Sequence, residues 1–120
     1  MNKKTLVLGA STNPSRYSFL AIQRLVAHNH DVVAIGLKEG EVSGVQIEKE
    51  KIPFEGIDTI TLYLNALRQK EYYDYIVSLK PNRVIFNPGT ENPELYNLLR
   101  KNAIEVEVAC TLVLLSTKQY

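Results

Sequence analysis

Thr5-Leu6-Val7-Leu8-Gly9-Ala10-Ser11-Thr12-Asn13-Pro14-Ser15-Arg16-Tyr17 decides the fold. Its first part, Thr5 to Gly9, is a short apolar run ended by turn residues. A strand covered on both faces reads this way, as in a parallel sheet. The second part is rich in small polar residues and opens a helical period from Ser15 to about Asn29, with Phe19, Ile22, Leu25 and Val26 on one stripe. A buried strand that turns directly into a helix start predicts the first β-loop-α unit of an α/β domain.

Outward from this unit the alternation continues. Asp31 to Gly36 reads as a second strand and Ile57 to Leu64 as a third. Asn65 is placed to cap a helix over Ala66 to Leu79, whose inner face is Tyr72, Tyr75, Ile76 and Leu79. Arg83 to Asn87 is a fourth strand. Asn92-Pro93 starts a helix, with a capping residue and then proline at the first helical position, and Leu95, Leu98 and Leu99 form its stripe. Glu105 to Ala109 is a fifth strand, and Thr111 stands where a last short helix starts. Strand and helix in alternation predict right-handed crossovers and a parallel sheet. The expected fold is therefore α/β: a three-layer Rossmann-like sandwich on a five-stranded parallel sheet of order 3-2-1-4-5, formed as one domain over residues 1–120. Between Leu37 and Gly56 no helical period is present. A loop or a small extra strand around Val45 to Ile47 is expected there.

Composition narrows the function classes. The 120 residues are 45% hydrophobic and 22% charged, with a formal net charge of +1. These are globular values, and a chain of this length buries roughly two-thirds of its unfolded surface. No basic excess speaks for nucleic acid or a membrane surface. The apolar run after Lys3-Lys4 is too short for a signal peptide and Leu112 to Leu115 too short for a membrane span. A lone cysteine, Cys110, excludes an internal disulfide. A cytoplasmic protein is expected.

Ligands of open parallel sheets bind beyond the carboxyl ends of the strands, where the strand order reverses. In the expected order two loops meet there, Gly9 to Arg16 and Asn87 to Asn92. The first leads into a helix N-terminus, where free N–H groups and partial positive charge attract phosphate. Gly9 permits the turn, Ser11, Thr12, Asn13 and Ser15 carry polar side chains, and Arg16 adds charge. The Gly-x-Gly-x-x-Gly dinucleotide fingerprint is absent. So is the acidic residue that ends the second strand of an NAD site. Ile35-Gly36-Leu37-Lys38 stands there instead, and a lysine suits a ribose phosphate. This speaks for coenzyme A, whose ribose carries a 3′-phosphate, and less strongly for NADP.

The same residues carry a resemblance. Val7-Leu8-Gly9-Ala10-Ser11 with Asn13-Pro14 and Tyr17, the strand-two exit with Lys38, Gly44, Asn87-Pro88-Gly89 with Asn92 and Glu94, and Cys110 together resemble the stand-alone coenzyme A-binding proteins. These are similar to the nucleotide-binding domain of the succinyl-CoA synthetase α subunit. The resemblance implies a Rossmann-like fold, a first loop that holds the coenzyme A phosphates, and a loop after the fourth strand that completes the cleft. Lys38 falls at a lysine that contacts coenzyme A in the larger enzymes. The chain departs from the family at Gly36-Leu37, where Asn-Pro is common, and at Val108-Ala109, Leu114 and Leu115. The cofactor-binding candidates are Gly9, Ala10, Ser11, Asn13, Pro14, Arg16, Tyr17, Gly36, Lys38, Asn87, Pro88 and Gly89.

No set of residues points to chemistry. His28 and His30 lie between the first helix and the second strand, at the end of the sheet away from the expected cleft. Cys110 has no histidine that the sequence places beside it. A phosphoacceptor receiver would need acidic residues where Gly9-Ala10-Ser11 and Tyr63-Leu64 stand. The acidic residues Glu39, Glu41, Glu48 and Glu50 sit among lysines and do not suggest a metal site. A non-catalytic coenzyme A or acyl-CoA module, acting as carrier, sensor or regulator, is the expectation. The alternatives are an NAD(P)-binding or Cys110-dependent enzyme in the same cleft, and an interaction protein with a vestigial cleft. A protein partner or homo-oligomer is compatible with apolar surface near Ile52, Pro53 and Phe54.

Overall fold

A computed structural model describes residues 2–120. The strands are β1 (Thr5–Ala10), β2 (Val32–Gly36), β3 (Gly40–Val42), β4 (Val45–Glu48), β5 (Thr59–Leu62), β6 (Arg83–Phe86) and β7 (Glu105–Val108). The helices are α1 (Tyr17–Ala27), α2 (Ala66–Gln69), α3 (Tyr73–Ser78), α4 (Pro93–Lys101) and α5 (Thr111–Ser116). All seven strands form one sheet of order β3-β4-β2-β1-β5-β6-β7. Every pairing is parallel except β3 with β4.

The α/β sandwich is as expected, but the five-stranded 3-2-1-4-5 order is not. The strand read over Ile57 to Leu64, here β5, lies on the other side of β1 from β2, paired Thr5 to Thr59 through Leu8 to Leu62. The outer place beside β2 belongs to β4, from the segment without helical period. The β3–β4 hairpin turns on Ser43 and Gly44, both with left-handed φ (52° and 83°), as a tight two-residue hairpin turn requires. Parallel β2 and β4 are thus joined by an antiparallel strand, with no crossover helix.

Two apolar layers sandwich the sheet. On one face Ile22 and Leu25 of α1 and Leu115 of α5 cover Val7, Ala34 and Ile47. On the other, Tyr75 and Ile76 of α3 and Leu95 and Leu99 of α4 cover Leu6, Leu8, Ile60, Leu62, Val84 and Phe86. Phe54 and Tyr72 pack against this second layer, so part of the apolar surface expected near Ile52 to Phe54 is folded inward. The single helix expected over Ala66 to Leu79 is broken by a 3-10 turn at Lys70–Tyr72. Gln69 lies just before that turn. Its side chain is fully buried and donates to the Leu64 and Thr90 carbonyls, both at 2.8 Å.

At the amino-terminal end of the sheet, Arg83 bonds Glu107 (2.9 Å) and the Thr59 hydroxyl (2.8 Å), and lies over the Tyr120 ring. His30 packs against the same ring, and its Nδ1 accepts the Lys3 N–H at 2.9 Å. Burial, aided by nearby positive charge including Lys3 and Arg83, holds its pKa below the ordinary 6.5. Between that lowered value and 6.5 the unfolded chain binds the proton more readily, so stability falls as the pH drops through this window. Urea unfolding at stepped pH should show that loss, and His30→Asn, which keeps an acceptor but does not titrate, should flatten it. An identical slope in the variant would exclude His30 as its source.

Candidate functional site

The strand order reverses between β1 and β5, so the two loops that meet at the reversal are Gly9 to Arg16 and Tyr63-Leu64-Asn65. Together with the β2 exit and the β6–α4 loop they surround a cleft of about 840 Å³, within the size of small-molecule sites.

The loops interlock through backbone. Gly9 has φ +100°, and a Cβ there would stand 2.9 Å from the Tyr63 carbonyl carbon. Gly36 is tighter: a Cβ would stand 2.2 Å from the Ala10 carbonyl oxygen. Pairing between β1 and β2 shifts register just before this point, so that Ala10 opposes Gly36. The β3–β4 hairpin supports the first loop from outside, since a Cβ on Gly40 would meet the Thr12 side chain at 2.5 Å.

The first loop is shaped by its own polar groups. Ser11 Oγ accepts the Asn13 N–H at 3.0 Å, and Asn13 Oδ1 accepts the Ser15 N–H (3.0 Å) and hydroxyl (2.8 Å). This leaves the Ser11 hydroxyl proton and the Asn13 amide free to donate. Arg16 is the N-cap of α1 and provides no side-chain cap, so no side chain satisfies the first N–H groups of that helix, whose Tyr17 and Ser18 line the cleft. Arg16, Lys38 and Arg68 are the cationic side chains that line the cleft, with Glu71 the acidic one. Among the described residues, none of these four makes an ion pair. Burial pushes the Tyr63 phenol, which lies beside Thr61 and Thr111, up to about 12, so it stays protonated.

The cleft brings together Gly9, Ala10, Ser11, Asn13, Arg16 and Tyr17 with Gly36, Lys38, Pro88 and Gly89. Pro14 does not line it. Asn87 does not either: its amide is buried and spent inside the protein. Nδ2 donates to Thr61 Oγ1 (2.7 Å) and the Leu62 carbonyl (2.9 Å), and Oδ1 accepts the Thr111 N–H (2.9 Å). Asn87 ties β5, β6 and α5 together. Cys110, the N-cap of α5, is outside the cleft lining, and His28 and His30 are at the other end of the sheet. Sequence reasoning missed the wall made by Tyr63, Leu64, Asn65 and Arg68, because it assigned the strand before them to the far edge.

A β-loop-α cleft at the strand-order reversal, with an uncapped helix N-terminus at one wall, defines a Rossmann-like nucleotide-binding type of site. Comparison with known proteins agrees. A family model described as CoA binding domain matches residues 3–116, and the chain belongs to that family. No curated protein matches. A crystal structure of a protein described only as uncharacterized is 51% identical, with a TM-score of 0.97, over 100% of this chain and 99% of that one. A hypothetical protein from Pyrococcus horikoshii OT3 is 25% identical with a TM-score of 0.82, over 93% and 80%. A Thermus thermophilus protein, cell-free ID.343, is 20% identical with a TM-score of 0.86, over 99% and 91%, and shares the fold.

Proposed function

We propose that the cleft binds coenzyme A or an acyl-CoA and that the protein acts as a non-catalytic carrier, sensor or regulator. The observation that carries this reading is the uncapped N-terminus of α1, beside a cleft whose cations make no ion pair among the described residues. Membership of the CoA binding domain family supports the choice of nucleotide. The pyrophosphate lies against Gly9 to Tyr17, where backbone N–H groups, the Ser11 hydroxyl and Arg16 converge. The adenosine lies at the β2 exit, beside Gly36 and Lys38, with its 3′-phosphate against Lys38. Among the described residues the cleft holds no paired acid and base, and Cys110 lies outside its lining, which supports binding without chemistry.

Calorimetric titration tests this. Wild type should bind coenzyme A and show far weaker binding to NAD. Lys38→Ala should weaken coenzyme A by about fivefold, or about 1 kcal/mol, as a solvated lysine–phosphate contact is worth less than a buried one. Dephospho-coenzyme A, which lacks the 3′-phosphate, should bind wild type and variant alike. Equal affinity for NAD and coenzyme A overturns the choice of ligand. Equal weakening of both coenzymes removes Lys38 from the 3′-phosphate.

A further inference from the structure

The cleft has a second cationic wall. The first is Arg16 at the start of α1. The second is Arg68 in α2, on the other side of β1 from Lys38. The loop that begins at Gly9 and the β5 exit at Tyr63 touch through backbone, so the elements that carry the two arginines are held against each other. Resting on the coenzyme A reading, we propose that Arg68 is a ligand-binding residue that grips the ligand's pyrophosphate from the α2 side, opposite Arg16.

The turn that carries Arg68 is fixed on both sides of it. Asn65 caps the helix by accepting the Arg68 N–H itself, at 2.9 Å. The next residue, Gln69, is fully buried, and its amide joins the Leu64 and Thr90 carbonyls and accepts from Asn92 at 2.9 Å. The backbone of Arg68 is thus anchored to β5 and to the β6–α4 loop, while its guanidinium makes no hydrogen bond or ion pair among the described residues. Glu71 also lines the cleft, one helical turn on, and is not paired with it. A rigid base under a free guanidinium limits the entropy lost on binding. A guanidinium also offers two parallel donors to the oxygens of a phosphate, which an ammonium cannot.

The position distinguishes Arg68 from Lys38. Lys38 follows β2, on the side of the adenosine, and Arg68 follows β5, across β1. Between them lie the first loop and the α1 N-terminus, where the pyrophosphate sits. Pantetheine, which continues past it, is uncharged and gives an arginine nothing to neutralise.

Titration of Arg68→Ala and Arg68→Lys with coenzyme A, dephospho-coenzyme A and pantetheine tests the assignment. Arg68→Ala should weaken coenzyme A and dephospho-coenzyme A to the same extent, by about tenfold, because both carry the pyrophosphate. Pantetheine, which has no phosphate, should bind wild type and variant equally. Arg68→Lys should recover only part of the loss. A wild-type protein that binds coenzyme A with an affinity unchanged by Arg68→Ala overturns the role of Arg68 and leaves the reading of the cleft intact. A loss confined to coenzyme A moves Arg68 to the 3′-phosphate and overturns the pyrophosphate assignment. A folded wild-type protein that binds neither coenzyme overturns the reading and Arg68 together.

Discussion

Gly36→Ala is expected to destabilise the protein by roughly 3 kcal/mol or more, because among the glycines an added Cβ meets its closest neighbour here. The added Cβ would lie 2.2 Å from the Ala10 carbonyl oxygen and 3.1 Å from Ile47 Cγ2. The oxygen is backbone of the central strand, so no side-chain rotation relieves the clash. Strands β1 and β2 must part at their carboxyl ends, where the ligand is to bind. Urea unfolding should show the lost stability, and ligand affinity should fall with it. Gly89→Ala is the contrast. Its φ is +91° but nothing lies within 4 Å of the added atom, so only backbone strain of about 1–2 kcal/mol remains. Equal costs at the two glycines would show that close approach is not what the cleft demands at Gly36.

The second large effect is at Asn87. Its three side-chain bonds are buried and join three elements. Asn87→Ala leaves the Thr111 N–H without its acceptor and the Leu62 carbonyl without that donor. Each unsatisfied buried group costs about 1–3 kcal/mol, so for these two a loss of about 2–6 kcal/mol is expected. Asn87→Asp keeps an acceptor for Thr111 but turns an oxygen toward Thr61 Oγ1 and the Leu62 carbonyl. Its carboxyl pKa should rise, because only the protonated form can donate. The variant should then recover stability as the pH falls toward that pKa. If Asn87→Ala unfolds like wild type and loses only ligand affinity, Asn87 is a ligand contact and not a tie.

These two residues show where the sequence is legible. Asn87 ends a strand beside Pro88-Gly89, and a polar residue in such a turn reads as a ligand contact. The acceptors that consume its amide come from Thr61, Leu62 and Thr111, which no local pattern brings near. Gln69 fails to declare itself for the same reason. Polar and mid-helix, it reads as solvent-facing, yet two carbonyls draw it inward at the point where the helix gives way to the 3-10 turn. The strands themselves are plain, because apolar runs bounded by turn residues need no tertiary information. In β5 the apolar Ile60 and Leu62 are only half of what is buried, since Thr59 and Thr61 are buried too in a sheet covered on both faces.

Sheet order is a different matter. Hydrophobic pattern identifies a strand but does not say which neighbour it takes. The segment from Leu37 to Gly56 has no crossover helix, so Val45 to Ile47 ranks only as a small extra strand and the next run takes the outer position. Once Val45–Glu48 occupies that place, Thr59–Leu62 moves beside β1, and Tyr63, Asn65 and Arg68 move into the cleft. The first-loop candidates needed no sheet order, since a helix start after a buried strand faces the carboxyl end in either arrangement.

The most direct test of the central claim is to map where coenzyme A touches the protein. In an amide proton–nitrogen correlation spectrum of labelled protein, added coenzyme A should shift the backbone signals of Gly9 to Ser18, Gly36 to Lys38, Tyr63 to Arg68 and Gly89. Signals at the opposite end of the sheet, around Lys80, Asn102 and Ala103, should stay in place. Shifts centred on that opposite end, or no shifts in the cleft with about 1 mM coenzyme A, the weak end of specific binding, would contradict the account.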